Sequence, residues 1–377
     1  MTQQIIAVIG AGLAGAAAAY RLALRGHAVL VLERDVPASE KGSSHGSARI
    51  FRYAYPDPFY TRLAQDAHTG WEQLQDAAGR RLITPTGAVD FGIRRDPARL
   101  AAVLADSGID HELLDAKQAL SRWPGIATRG PVLWHKGAGV IDAHESVHAM
   151  LDLATAAGAE VHTGVEVIRV ERDGSGYIVH ALDGERFETD QVVVAAGGWL
   201  PELLGALDLP HERIARFPRL QVKKEFALHF PYRDGGAAWP TLIYKGDDID
   251  VYGLPGGRDA DFAGQKVAQY NGGPVIDSSR DNDGGIDAAS RDRLISWVRE
   301  HLPGLEPEPY AATTCVFTNT PEEDFVIDRV GGITILSPCS GHGAKFAPLV
   351  GELAARLVSN ESGVPIRFRP LTLKVAA

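Results

Sequence analysis

Apolar residues run unbroken through Ile5-Ile6-Ala7-Val8-Ile9 and again through Ala28-Val29-Leu30-Val31-Leu32, with an alanine-rich stretch between them. Runs of that length predict strands covered on both faces, and the stretch between predicts a helix. Asp57 to Ala78 has a helical period, with Phe59, Leu63, Ala67, Trp71 and Leu74 on one face that belongs in the core. From Leu82 the pattern changes to short strands and turns such as Gly87 to Gly92, followed by helices near Pro97 to Ala105 and Ala116 to Trp123. Ala143 to Ala157 predicts another helix, Glu160 to His162 and Glu166 to Glu171 two strands, and Gln191 to Trp199 a buried strand ending in small residues. Alternation then predicts antiparallel strands at Leu220 to His229, Pro240 to Tyr244, Ile249 to Leu254 and Gly264 to Tyr270. Asp287 to His301 is amphipathic, with Leu294, Ile295, Val298 and Leu302 inward, and the chain closes with a strand at Ile333 to Leu336 and a helix at Ala347 to Val358.

This order predicts an α/β fold of mixed α+β character, in which a Rossmann-like dinucleotide-binding domain is interleaved with an antiparallel-sheet substrate domain. The expected division places 1–80, 142–212 and 320–377 in the first, and 81–141 and 213–319 in the second.

The junction after the first strand reads Gly10-Ala11-Gly12-Leu13-Ala14-Gly15. Gly10 permits a tight turn, and Gly12 lets the backbone approach a pyrophosphate seated on the positive helix N-terminus. Gly15 lets the helix pack closely on the strands, and Leu13 and Ala14 complete the candidate cradle. Glu33 ends the second strand, where a carboxylate accepts hydrogen bonds from an adenosine ribose and repels a 2′-phosphate; FAD or NAD is therefore favoured over NADP. Arg34 beside it, Val167, and the pair Ala196 and Gly197 are further candidate contacts with the cofactor. Taken alone, Ala196-Gly197 is equally a tight turn after a parallel strand. Gly42 to Arg52 carries small residues, one imidazole (His45) and the guanidinium groups of Arg49 and Arg52. By itself this is a glycine-serine loop with solvated arginines. Its place directly after the dinucleotide unit favours close approach to a flat cofactor, and an Arg there can hold a substrate carboxylate by parallel hydrogen bonds.

The net charge of −10 argues against nucleic acid or an anionic membrane surface as a partner. No apolar run is long enough to span a bilayer, no signal peptide is expected at the start, and Lys374-Val375-Ala376-Ala377 is not a peroxisomal address. Cys315 and Cys339 make no disulfide framework, which suits a reducing cytoplasm. No metal site is expected.

Four motifs, in order, carry a family resemblance: Gly10 to Gly15; Gly42-Ser43-Ser44-His45-Gly46 with Arg49 and Arg52; Cys315 ahead of Thr320-Pro321-Glu322-Glu323-Asp324-Phe325-Val326-Ile327-Asp328; and Ser340-Gly341-His342-Gly343-Ala344-Lys345-Phe346. With them the chain resembles the monomeric sarcosine oxidases, the group that includes N-methyltryptophan oxidase and pipecolate oxidase. The resemblance implies FAD joined to the protein by a thioether at Cys315, with Ser43, Ser44, Arg52, Gly341 and Gly343 near it. It implies oxidation of the C–N bond of a secondary amino acid with a free carboxylate, hydrolysis of the imine, and reduction of O2 to hydrogen peroxide, by a monomer. It implies that Arg49 and Lys345 hold the carboxylate and that Lys266 promotes reaction with O2. Tyr252 matches an active-site tyrosine, His45 and Arg52 match residues near the flavin ring, and Cys339 has no such match and is expected to pack. One departure is Tyr270, where the sarcosine enzymes carry a histidine; tyrosine does not become cationic, so the amine is expected to be recognised differently. Another is Tyr53-Ala54-Tyr55-Pro56-Asp57-Pro58, whose prolines would stiffen a lid; a bulkier or cyclic substrate is expected. Two other functions stay open on the sequence: an FAD-dependent dehydrogenase using a non-oxygen acceptor, and a non-catalytic FAD-binding protein.

Overall fold

The opening apolar runs form parallel strands, Ile5–Ile9 and Ala28–Glu33, joined by the helix Leu13–Leu24. The computed structural model describes residues 4–233 and 239–372. Those two strands sit inside a six-stranded sheet ordered Val326–Val330, Ile333–Ser337, Gln191–Val194, Ile5–Ile9, Ala28–Glu33 and Glu160–Thr163. All neighbours are parallel except Val326–Val330, which runs antiparallel on its edge. Alternation sends Ile6, Val8 and Val193 to one face, against the helices Leu13–Leu24, Ala143–Ala156 and Ala347–Val358. It sends Ala7, Ile9, Val192 and Val194 to the other, against the small sheet Val167–Asp173, Gly176–Ala181 and Arg186–Thr189. Burial on both faces is why Ile5–Ile9 and residues 192–194 carry no polar positions.

The second large sheet has nine strands. Its path is Val275–Ile276, Gln221–Pro231, Gly264–Gln269, Asp250–Pro255, Thr241–Lys245, Ala88–Phe91, Val132–His135 and Glu112–Leu114, and Ala311–Asn319 pairs with Gln221–Pro231. One face is the second core, where Phe226, Leu228, Phe230, Val251 and Val267 meet Leu294, Ile295, Trp297 and Val298 of the helix Ala288–His301. Because successive residues alternate, the other face carries Glu225, His229, Tyr252, Lys266 and Cys315. The register sets Glu225 opposite Cys315 and His229 opposite Lys266.

Most predicted elements form close to their expected limits. Pro58–Ala78 is a helix capped by Asp57, whose side chain accepts from the Phe59 N–H at 2.9 Å. Tyr53, Ala54 and Tyr55 are buried, and Pro58 opens that helix. Thr61 Oγ1 donates to the Tyr53 carbonyl at 3.1 Å, and Arg95 to that of Ala54 at 3.0 Å. Of the expected lid, Tyr53 to Tyr55 is thus fastened inside, while Pro56 and Pro58 are exposed. Helix Pro97–Asp106 sends Leu100, Ala101 and Leu104 into the core beneath the first sheet's helices.

Candidate functional site

The first strand ends at Ile9, and Gly10 takes φ +98°, a left-handed value that glycine adopts without strain. A Cβ at Gly10 would lie 2.6 Å from the Ala195 carbonyl oxygen, and one at Gly15 would lie 1.9 Å from the Gly10 oxygen. Helix Leu13–Leu24 starts at Gly12, which offers no side-chain cap, and has no acid in its first turn, so its positive end favours an anion. The Leu13 N–H donates to Ser44 Oγ at 2.9 Å, which lays the Ser43-Ser44 loop across that end. Glu33 is buried, and its carboxylate accepts from the N–H groups of Ala11 at 2.7 Å and Asp35 at 3.0 Å. Burial raises its pKa, and those backbone bonds oppose the rise.

A cavity of about 390 Å³ opens from this junction. Of the predicted residues, Gly10, Gly12, Leu13, Ala14, Glu33, Arg34, Ser43, Ser44, Arg49, Val167, Ala196, Gly197, Cys315, Gly341 and Gly343 line it. Gly15, His45, Arg52, Tyr252, Lys266, Tyr270 and Lys345 lie off its wall; Gly15 packs the helix on Gly10. The cavity thus joins strand ends of the first sheet to Cys315 of the second. Three of its wall residues hold buried polar atoms without a partner: Trp199 Nε1, Thr318 Oγ1 and Ser337 Oγ. Buried polar groups are nearly always bonded, so a long polar ligand is what this wall is built to meet. With the glycine cradle at one end, the residues fit a flavin dinucleotide.

Several wall residues were not legible from the motifs. Arg34 pairs with Glu166 at 3.1 Å and stacks over Trp199 at 4.7 Å. Arg280 also bonds Glu166 at 2.6 Å and Glu202 at 3.2 Å, closing that end. Trp199 follows the small-residue turn at Ala196, which was the available signal; Arg280 comes from a distant loop with none. Cys339, expected only to pack, also lines the cavity, and its Sγ accepts from the Thr318 N–H at 3.3 Å. Both cysteines are free thiols.

At the second sheet, polar side chains gather in two groups. In the first, Arg49 donates to the carbonyls of Ala48 at 2.9 Å and Ser43 at 3.1 Å, and Lys266 Nζ reaches the same Ala48 oxygen at 3.5 Å. Burial and Arg49 push Lys266 down to about 8, against Asp259 and Cys315. Burial raises the Cys315 thiol, while Arg49 and Lys266 lower it. His45 is driven to about 3, by burial and then by Arg49 and Lys266, so it is neutral. Tyr252 is raised by burial. Glu225, across the strand pair from Cys315, is raised to about 7 by burial.

The second group surrounds Tyr55. Arg52 lies over its ring at 4.3 Å and Lys345 Nζ at 5.6 Å, while its hydroxyl meets His342 Nδ1 at 3.1 Å. Lys345 donates to the His342 carbonyl at 2.7 Å; burial, then Arg52, hold its pKa well below the ordinary value. Tyr270 donates to Glu323 Oε1 at 2.9 Å and lies 3.1 Å from the Ser340 carbonyl; burial and Glu323 raise its pKa. Lys345 was expected beside Arg49; the contacts made are those of Lys345 and Arg52 with Tyr55, and of Arg49 and Lys266 with the Ala48 carbonyl. Lys345 is grouped with Arg52, and Arg49 with Lys266, because an extended backbone turns residues three apart to opposite sides.

A family model described as FAD dependent oxidoreductase matches residues 6–357. The chain is 32% identical to a peroxisomal sarcosine oxidase of Homo sapiens, over 96% of this chain and 94% of that one. It is 33% identical to a monomeric sarcosine oxidase of Streptomyces avermitilis, over 93% of this chain and 92% of that one. The solved structure of NikD, an unusual amino acid oxidase essential for nikkomycin biosynthesis, is similar with a TM-score of 0.84 at 25% identity, covering 98% of both chains.

Proposed function

Since the chain belongs to the FAD dependent oxidoreductase family, we propose that it oxidises the C–N bond of a secondary amino acid, N-methyl or cyclic. The product is an imine that water hydrolyses, and O2 is reduced to hydrogen peroxide. FAD, when bound, would supply the two-electron redox chemistry that links the amino acid to O2. The protein holds, orients and tunes. Gly10, Gly12, Leu13 and Ala14 would hold the pyrophosphate, Glu33 and Arg34 would flank the adenosine, and Cys315 would carry the thioether.

Arg52 and Lys345 hold the substrate carboxylate, which fixes the amine-bearing carbon. Lys345 is buried beside another cation, both of which lower its pKa, and a bound carboxylate favours its charged form. That pair of cations on the Tyr55 ring is the observation that carries this reading. Their hydrogen bonds go to the backbone carbonyls of Ala54 and His342, leaving the charges to an incoming anion. Tyr270 stays neutral across physiological pH, so the amine is met by a hydroxyl and by the Glu323 carboxylate to which that hydroxyl is bonded. Lys266, with Arg49 beside it, stabilises negative charge developing on oxygen, as an oxyanion hole does. The enzyme works as a cytoplasmic monomer, a reducing setting that suits two cysteines not joined by a disulfide.

The test is an anaerobic screen of the yellow holoenzyme with sarcosine, N-methyltryptophan, pipecolate and proline. At least one is expected to bleach the flavin and to yield peroxide in air; no bleaching by any secondary amino acid would refute the reading. Colour is also expected to stay with the acid-precipitated polypeptide and to wash out of Cys315→Ala. Colour that washes out of the unmodified protein would remove the thioether.

A further inference from the structure

The turn after strand Ala88–Phe91 is tight. Gly92 has φ +106°, and a Cβ there would lie 2.4 Å from the Lys245 carbonyl oxygen. The Arg94 N–H donates to that oxygen at 3.0 Å, and the Arg95 N–H to the Gly92 carbonyl at 3.0 Å. The turn folds Arg95 back over its own strand, where its Nε meets Asp90 Oδ1 at 2.6 Å. Asp90 is 0% exposed and Arg95 4%. The other carboxylate oxygen faces His135 Nε2, 3.6 Å away on the neighbouring strand.

An ion pair this deep is a poor stabiliser, because dehydrating both charges consumes most of their attraction. Its effect here is geometric. The Arg95 guanidinium donates to the Ala54 carbonyl at 3.0 Å, and the Arg52 guanidinium donates to that same oxygen. Asp90 aims Arg95, Arg95 pins the Ala54 oxygen, and that oxygen sets Arg52 over Tyr55. A strand of the second sheet thereby fixes a side chain on a separate segment.

We propose that Asp90 and Arg95 are positioning residues for Arg52, holding the one carbonyl against which this carboxylate anchor is set. The proposal rests on the reading of Arg52 as the anchor, and it places substrate affinity under a buried pair that is no part of the cavity wall.

The experiment uses the holoenzyme carrying Asp90→Asn, which keeps the shape and removes the charge. The apparent KM for the best secondary amino acid is expected to rise about tenfold or more, well beyond any change in kcat. The Kd for acetate, a carboxylate that cannot be oxidised, followed by the flavin absorbance shift, is expected to rise in step. A merely structural role would lower the melting temperature without moving the acetate Kd, and that result overturns the proposal. Should Asp90→Asn not fold, the double variant Asp90→Leu/Arg95→Met removes both charges at similar bulk and is expected to show the same rise; an unchanged KM overturns the proposal. Arg52→Ala separates the two readings. If it leaves KM unchanged, the anchor assignment falls and this proposal with it; if it raises KM while Asp90→Asn does not, only the positioning role falls.

Discussion

Arg49 and Arg52 stand three residues apart in a segment that the strand Arg49–Phe51 makes extended, so they serve different neighbours. Nothing in the run of small residues from Gly42 to Ala48 declares the backbone extended, and the assignment of the two guanidinium groups was illegible for that reason. Lys266 was legible as a strand residue; its burial and its sharing of the Ala48 carbonyl with Arg49 come from tertiary packing. Its charged form predominates below about 8 and is lost above. The reaction of the reduced enzyme with O2 is therefore expected to slow as pH rises through that value. Lys266→Met removes the cation at every pH and is expected to slow that reaction roughly 100- to 1,000-fold, by analogy with loss of an oxyanion donor, with anaerobic bleaching far less affected. Stopped-flow reoxidation checks this, and equal rates in the two proteins would contradict it.

Among the elements, those with a strong period or a cap were legible. Pro58–Ala78 announces itself by Asp57, Pro58 and the stripe ending at Leu74, and Ala347–Val358 by a continuous apolar face. Strand Arg186–Thr189 was missed because only Thr189 of it is buried, which weakens the apolar signal; Gly176–Ala181 was missed although Tyr177, Val179, His180 and Ala181 are buried. The strand–helix junction at Gly10 was legible because close packing forces its composition. A methyl group at position 15 has the Gly10 oxygen only 1.9 Å away, so Gly15→Ala must push the helix off its strand. A loss of about 1–3 kcal/mol is expected, with poorer retention of FAD; a thermal melt with flavin release as the readout checks it, and an unchanged melt with full flavin would contradict it.

In the whole molecule, the site exists because two sheets from interleaved segments are held face to end. The first supplies the helix terminus and its strand ends, and the second supplies the face bearing Cys315, Lys266 and Tyr252. That the chain holds one mainly parallel and one mainly antiparallel sheet was legible from the apolar runs and the alternating patterns. The fastening of Tyr53 to Tyr55 between Thr61 and Arg95 was not, since it depends on how the following helix and the turn at Arg95 pack against this segment. Among the described residues no helix is long and apolar enough to cross a membrane. The most direct test of the account is the substrate dependence of anaerobic flavin bleaching in Arg52→Ala set beside Arg49→Ala. Arg52→Ala is expected to raise the apparent substrate Kd by roughly 10- to 100-fold, the worth of a charge-assisted hydrogen-bond pair, with a smaller rise for Arg49→Ala. A large rise for Arg49→Ala with none for Arg52→Ala would contradict it.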